Sequence, residues 1–134
     1  MNIKITKNIE EANLVTHTGS FHPDDVFSTA FLSKIIENPV VIRIGDTASV
    51  SSNAIVYDIG YGKFDHHGTD AKFRNEPYQN IKYCSFGLLW EEYGLNYLKQ
   101  KFPDITNHEK LYNKIVEKLI IQIDAIDNGI FPDI

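Results

Sequence analysis

Cysteine is nearly absent: Cys84 is the only one in 134 residues. An intramolecular disulfide and a cysteine-rich zinc site are both excluded, and a reducing, cytoplasmic setting is expected. Long apolar runs are missing too. No stretch approaches the ~20 residues needed to cross a bilayer. The start, MNIKITKNIEEANLV, is charged throughout and lacks the apolar centre of a signal peptide. The third absence is positive charge. Thirteen Lys and Arg against eighteen Asp and Glu give a net charge of −5, so no general attraction to a nucleic-acid backbone or an anionic membrane is expected. A phosphate-bearing substrate would then need a local site of metal and basic groups. There is no repeat, low-complexity stretch or linker. What remains, 43% hydrophobic and 23% charged, is ordinary for a globular chain long enough for one domain with a real core.

Strand and helix signals alternate. NLVT (13–16) reads as a short strand. Pro23 to Ile36 reads as a helix, with Val26, Phe27, Ala30, Phe31 and Ile35 at helical spacing. Pro23 suits its first turn, Asp24 and Asp25 suit the positive end of its dipole, and Asn38-Pro39 stops it. VVIRI (40–44) and AIVYDI (54–59) read as strands. Ser85 to Tyr93 reads as a helix with Ser85 as N-cap and Gly94 near its end, and Leu95 to Lys101 as its possible continuation. TNHE (106–109) matches a capping box opening a long helix with Leu111, Ile115, Leu119 and Ile123 in one stripe. The expectation is an α/β fold, a mainly parallel β-sheet flanked by helices, with its ligand site outside the carboxyl ends of the strands.

Four of the five histidines fall in two clusters with acidic neighbours. HTGSFHPDD brings His17, His22, Asp24 and Asp25 between a strand and a helix; FDHH brings Asp65, His66 and His67. Between them AIVYDIG ends an apolar run in Asp58. Imidazole with carboxylate suits Mn²⁺, Mg²⁺, Co²⁺, Fe²⁺ or Zn²⁺. In the first cluster Asp24 is the better ligand and Asp25 a helix cap or a support for the ligands; ordinary capping by both is the plainer reading. Asp58 either caps the turn before Gly60 or bridges two ions ~3.5–4 Å apart, the spacing that suits displacement at phosphorus. His66 and His67 would point apart in an extended chain, which makes His66 the ligand and His67 a donor to phosphate; alternatively Asp65 merely orients a surface histidine. Asp124 and Asp127, three apart, share a helix face, and either completes the metal set or lies in an exposed last turn. Lys63, Lys72 and Arg74 flank the second cluster, as holders of a substrate phosphate or as solvated loop. Phe86, Trp90 and Tyr93 read as core, His108 as solvated, and Cys84 has no base beside it to make it a nucleophile.

The order HTGSFHPDD, VYDIG, FDHH and IDAIDNGI resembles the DHH phosphoesterase superfamily. Within it the chain is most similar to the melanocyte-proliferating-gene family of metal-dependent hydrolases and exonucleases, over nearly its whole length. The resemblance implies an α/β fold with two divalent ions, usually Mn²⁺. It implies His17, His22 and Asp24 as ligands from the first motif, Asp58 as the bridging carboxylate, His66 as a ligand and His67 as a contact to phosphate. It also implies Asp124 or Asp127 as the last acid, a choice the sequence leaves open. Asp25 stands where the family usually carries Glu. Family members are about twice as long, so residues 1–134 are expected to form a single metal-binding catalytic domain without the usual C-terminal substrate domain.

The expected activity is metal-dependent phosphoester hydrolysis, nuclease-like and on short oligonucleotides. Asp58, His67 and Asp25 are the expected catalytic groups, and His67, Lys63 and Arg74 the expected substrate contacts. A pyrophosphatase-like hydrolase of small phosphates is one alternative. A weakly catalytic metal-binding domain, completed by a partner chain or a second copy, is another.

Overall fold

The sheet forms because the chain places its most apolar, β-branched segments where both faces are covered, as parallel strands require. The computed structural model describes residues 3–45, 50, 53–60, 62–67 and 72–130. Its four strands, β1 (Lys4–Ile5), β2 (Leu14–His17), β3 (Val40–Ile44) and β4 (Ile55–Val56), lie in the order β1-β3-β2-β4. All pairings are parallel, with Leu14 opposite Val41 on one side and Ile55 on the other. The α/β expectation holds. Leu14, Val15 and Thr16 in the central strand are completely buried.

The sequence pattern missed β1. This edge strand has two residues, both exposed, and Ile5 is 77% accessible, so no alternation marks it. The strand expected over 54–59 is shorter, Ile55–Val56, extended only by a parallel bridge between Tyr57 and Phe64. Asp58 then departs from strand geometry altogether.

Helix α1 (Pro23–Ile35) starts at Pro23 as expected, but its buried face differs. Val26 and Phe27 are exposed, while Asp24, Asp25, Ser28, Phe31 and Leu32 are buried. The first turn thus buries carboxylates where an amphipathic reading puts apolar side chains. Helix α2 (Ser85–Lys101) is continuous through Gly94. There a Cβ would come within 2.6 Å of the Trp90 ring, so the glycine marks close packing and not a helix end. Ser85 is the first helical residue, and the capping position is Cys84.

The last helical run is α3 (His108–Ile115), a π-helical turn over Val116–Ile120, and α4 (Ile121–Asp127). Asn107, not Thr106, caps it, its side chain accepting from the Lys110 N–H at 3.0 Å. In the π turn the Ile121 N–H reaches back to the Val116 carbonyl, one residue further than in an α-helix. The regular stripe expected from Leu111 to Ile123 is therefore broken. Leu119 is 39% exposed, whereas Ile120, Ile121 and Ile123 are buried. The core joins β2 and β3 to α1, α2 and this run through Leu32, Tyr57, Leu89, Trp90 and Ile120. Phe86 and Trp90 belong to it, as their apolar character suggests, with Tyr93 packed at its edge.

Candidate metal centre

Five chain segments meet beyond the carboxyl ends of β2 and β4. His17 is the last residue of β2, and His22, Asp24 and Asp25 come from the start of α1. Asp58 follows the Tyr57 bridge with φ 59°, a left-handed conformation that aspartate tolerates better than most side chains. The kink turns the carboxylate out of the strand direction and toward the loop carrying His66. Asp127 arrives from the last turn of α4.

The carboxylate of Asp58 faces two histidines at once. Its Oδ2 lies 3.1 Å from Nε2 of His17, and its Oδ1 lies 3.2 Å from Nε2 of His66. Around His17 the second acid is Asp25, with Oδ2 at 3.1 Å, and His22 stands 4.0 Å from the same oxygen. Around His66 the other acids are Asp127 at 2.9 Å and Asp24 at 3.4 Å. His67 sits at the rim, its Nδ1 2.5 Å from Asp65 and 3.8 Å from Asp58. The chain does not stay extended here, so the two rings lie 4.1 Å apart instead of on opposite faces. His17, His22, Asp58, His66, His67 and Asp127 all line one open cleft of about 950 Å³.

This donor set fits divalent cations. Donors bound to one ion at ~2.0–2.2 Å lie roughly 3 Å from each other, matching the 3.1 Å contacts around His17 and the 2.9–3.4 Å contacts around His66. Three carboxylates surround one imidazole nitrogen, which has a single proton to offer. Oδ2 of Asp127 is buried and accepts no hydrogen bond although it is 2.9 Å from that nitrogen. A buried carboxylate oxygen in that position calls for a cation. Among the described residues, three groups of ligand atoms converge closely enough to hold an ion: His17, His22 and Asp25; Asp58, His66 and His67; Asp24, His66 and Asp127.

The electrostatics agree. Burial alone would lower the pKa of His66, but the close carboxylates of Asp127, Asp24 and Asp58 outweigh it and push it up to about 11. The same three carboxylates that draw a proton onto this ring would draw a divalent cation in its place, with the imidazole then neutral. Burial raises the Asp58 carboxyl, with a further contribution from the charge of Asp24. Burial also acts to raise Asp24, but it is overcome by His66 and the Phe86 N–H, which hold that carboxyl low.

The same acids brace the fold. Asp24 accepts from the Ser85 N–H at 3.1 Å and the Phe86 N–H at 2.7 Å, stabilising the positive end of α2. Asp25 accepts from Arg43 at 2.9 Å and from the His22 N–H at 2.8 Å. Asp124 and Asp127 have different surroundings although they are three apart. Asp127 lines the cleft, whereas Asp124 accepts from Nε of Arg74 at 2.6 Å and from the N–H of Cys84 at 3.0 Å. The guanidinium of Arg74 also lies over the Tyr83 ring, at 3.7 Å from its centroid. Arg74 is therefore a buried brace, and Lys63 pairs with Glu92 at 2.8 Å on an exposed surface; neither lines the cleft. His108 packs against the Phe102 carbonyl, far along the chain from the site, at 2.7 Å. Sequence reasoning missed Arg43, which sits inside a strand pattern, and Lys82 and Asn128, which line the cleft. Asn128 lies within the IDNGI segment, and its side chain bonds the Lys82 and Asp124 carbonyls.

A parallel sheet with histidines and aspartates converging at its carboxyl edge defines an α/β protein with a candidate metal centre. Residues 13–133 match the model of a family described as Uncharacterised protein family (UPF0160), the MYG1 exonuclease family, and the chain belongs to that family. It is 29% identical to the MYG1 protein of Dictyostelium discoideum over 91% of its own length and 40% of that protein. It is 30% identical to the protein named MYG1 exonuclease of Homo sapiens over 86% of its length and 35% of that protein. With the MYG1 protein YER156C of Saccharomyces cerevisiae the identity is 30%, over 97% and 40%. The chain thus spans two fifths or less of these relatives. No solved structure matches it. Among the described residues no helix is long and apolar enough to cross a membrane.

Proposed function

We propose that this chain is a DHH-type metal-dependent phosphoester hydrolase that holds two divalent ions, best served by Mn²⁺, and cleaves short oligonucleotides. The observation that carries the reading is Asp58, whose two carboxylate oxygens face His17 and His66 respectively. That is the disposition a bridging carboxylate needs. His17, His22 and Asp25 would hold one ion with Asp58, and Asp24, His66 and Asp127 the other. Asp127 is favoured over Asp124 as the last acid because Asp124 is taken up by Arg74 and Cys84.

When bound, such ions polarise a phosphoryl group and lower the pKa of water. The chain's own groups do the positioning. Asp58 is fixed by its kinked backbone, and its N–H donates to the Phe64 carbonyl at 2.9 Å. Arg43 and the His22 N–H hold Asp25 in place. His67, tethered through Nδ1 to Asp65, keeps its other ring nitrogen for a phosphoryl oxygen at the open rim. The net charge of −5 disfavours long duplexes and leaves short fragments as the better substrates. Relatives named MYG1 exonuclease support a nucleic-acid substrate.

The test is hydrolysis of a labelled trinucleotide and, separately, of pyrophosphate by the purified chain with Mn²⁺. Trinucleotide cleavage that Asp58→Asn abolishes is the expected result. Preference for pyrophosphate would assign a small-phosphate hydrolase instead. No turnover of either, with metal bound, would overturn the hydrolase reading.

A further inference from the structure

The cleft is lined by three aspartates and four histidines, yet it must accept an anion if the phosphoester reading holds. Among the described residues, Lys82 is the one lysine that lines it. The other basic side chains around the centre are already engaged: Arg43 with Asp25, Lys63 with Glu92, Lys72 with Glu91, and Arg74 with Asp124. Lys82 is half-buried and, among the described residues, its side chain has no hydrogen bond or ion pair. A flexible ammonium beside several carboxylates would ordinarily collapse onto one of them. Lys82 pairs with Phe73 in an antiparallel bridge, and its carbonyl accepts from Asn128 Nδ2 at 2.9 Å. Its main chain is thereby fixed two residues before Cys84 caps α2, at the cleft that Asn128 and Asp127 also line.

We propose that Lys82 is the substrate-binding cation of this centre and that Nζ holds a non-bridging phosphoryl oxygen of the bound phosphoester. The assignment rests on the phosphoester reading and replaces Lys63 and Arg74 as the basic contact. An ammonium has no lone pair to give a metal ion, so Lys82 is not needed as a ligand. Its loss should therefore be felt in substrate binding.

The experiment uses the whole 134-residue chain with Mn²⁺, as wild type, Lys82→Ala and Lys82→Arg. Trinucleotide hydrolysis gives KM and kcat, calorimetry gives affinity for inorganic phosphate, and elemental analysis gives bound metal. Losing a charge-assisted hydrogen bond predicts a KM and a phosphate Kd raised about tenfold to a hundredfold in Lys82→Ala. Metal content should stay near wild type, kcat/KM should fall at least as much as KM rises, and Lys82→Arg should recover most of the binding. Unchanged KM and phosphate affinity in Lys82→Ala would overturn the role of Lys82 and leave the hydrolase reading standing. Loss of metal together with activity would make Lys82 a structural residue and also overturn it. A wild-type chain that neither binds phosphate nor cleaves would remove the phosphoester reading itself, and this assignment with it.

Discussion

Oδ2 of Asp127 lies 2.9 Å from Nε2 of His66, while Asp124, three residues earlier on the same helix, turns its carboxylate to Arg74. One acid is offered to the cleft and the other is consumed by the fold. Asp127→Asn should lower metal content by about one ion per chain and leave the melting temperature of the metal-free protein within a few degrees of wild type. Retention of both ions would remove Asp127 from the ligand set.

Asp124→Ala should behave in the opposite way. It strands the buried Arg74 guanidinium and removes an acceptor from the Cys84 N–H. Breaking one side of a buried pair costs about 3–5 kcal/mol, so the variant should unfold at a markedly lower denaturant midpoint. A midpoint equal to wild type would show that the Arg74 pair does not support the fold.

Gly87 tests the same junction from α2. A Cβ there would meet Asp124 Oδ1 at 2.6 Å, Arg74 Nη2 at 2.8 Å and the Tyr83 ring at 3.3 Å. All three belong to well-anchored groups, so Gly87→Ala should destabilise by about 1–3 kcal/mol despite the helix preference of alanine. Thermal unfolding checks this, and an unchanged or higher Tm would contradict the packing described.

Cys84 gives a pH prediction. Burial, followed by the charges of Asp24 and Asp124, raises its thiol well above the ordinary value. A raised thiol pKa means less thiolate at any given pH, and thiolate is the reactive form. Iodoacetamide should therefore leave Cys84 unmodified at pH 8 in the native protein, react little faster at pH 9, and react readily after unfolding. Fast native alkylation at pH 8 would contradict the buried, acid-flanked environment.

The sequence made the central architecture legible because its signals are local. VVIRI is a β-branched run, Pro23 opens α1, and histidines with aspartates mark the edge where β2 and β4 end. It could not show which acid does what, because that depends on contacts between distant residues. Asp24 reaches Ser85 and Phe86, and Asp124 reaches Arg74, across 50 or more positions. The π turn at Val116–Ile120 likewise shifts the phase of the last helix in a way a regular 3.6-residue stripe cannot reveal. Lys82 stayed unnoticed because its distinction is the partner it lacks in three dimensions.

Asp58 joins the His17 and His66 groups, so the decisive measurement is electron paramagnetic resonance on Mn²⁺-loaded protein with the bound metal counted. Wild type is predicted to hold two Mn²⁺ per chain with an exchange-coupled spectrum, and Asp58→Asn to lose the coupling and at least one ion. Two uncoupled ions in wild type, or a single ion per chain unaffected by Asp58→Asn, would contradict the bridging role from which the function was inferred.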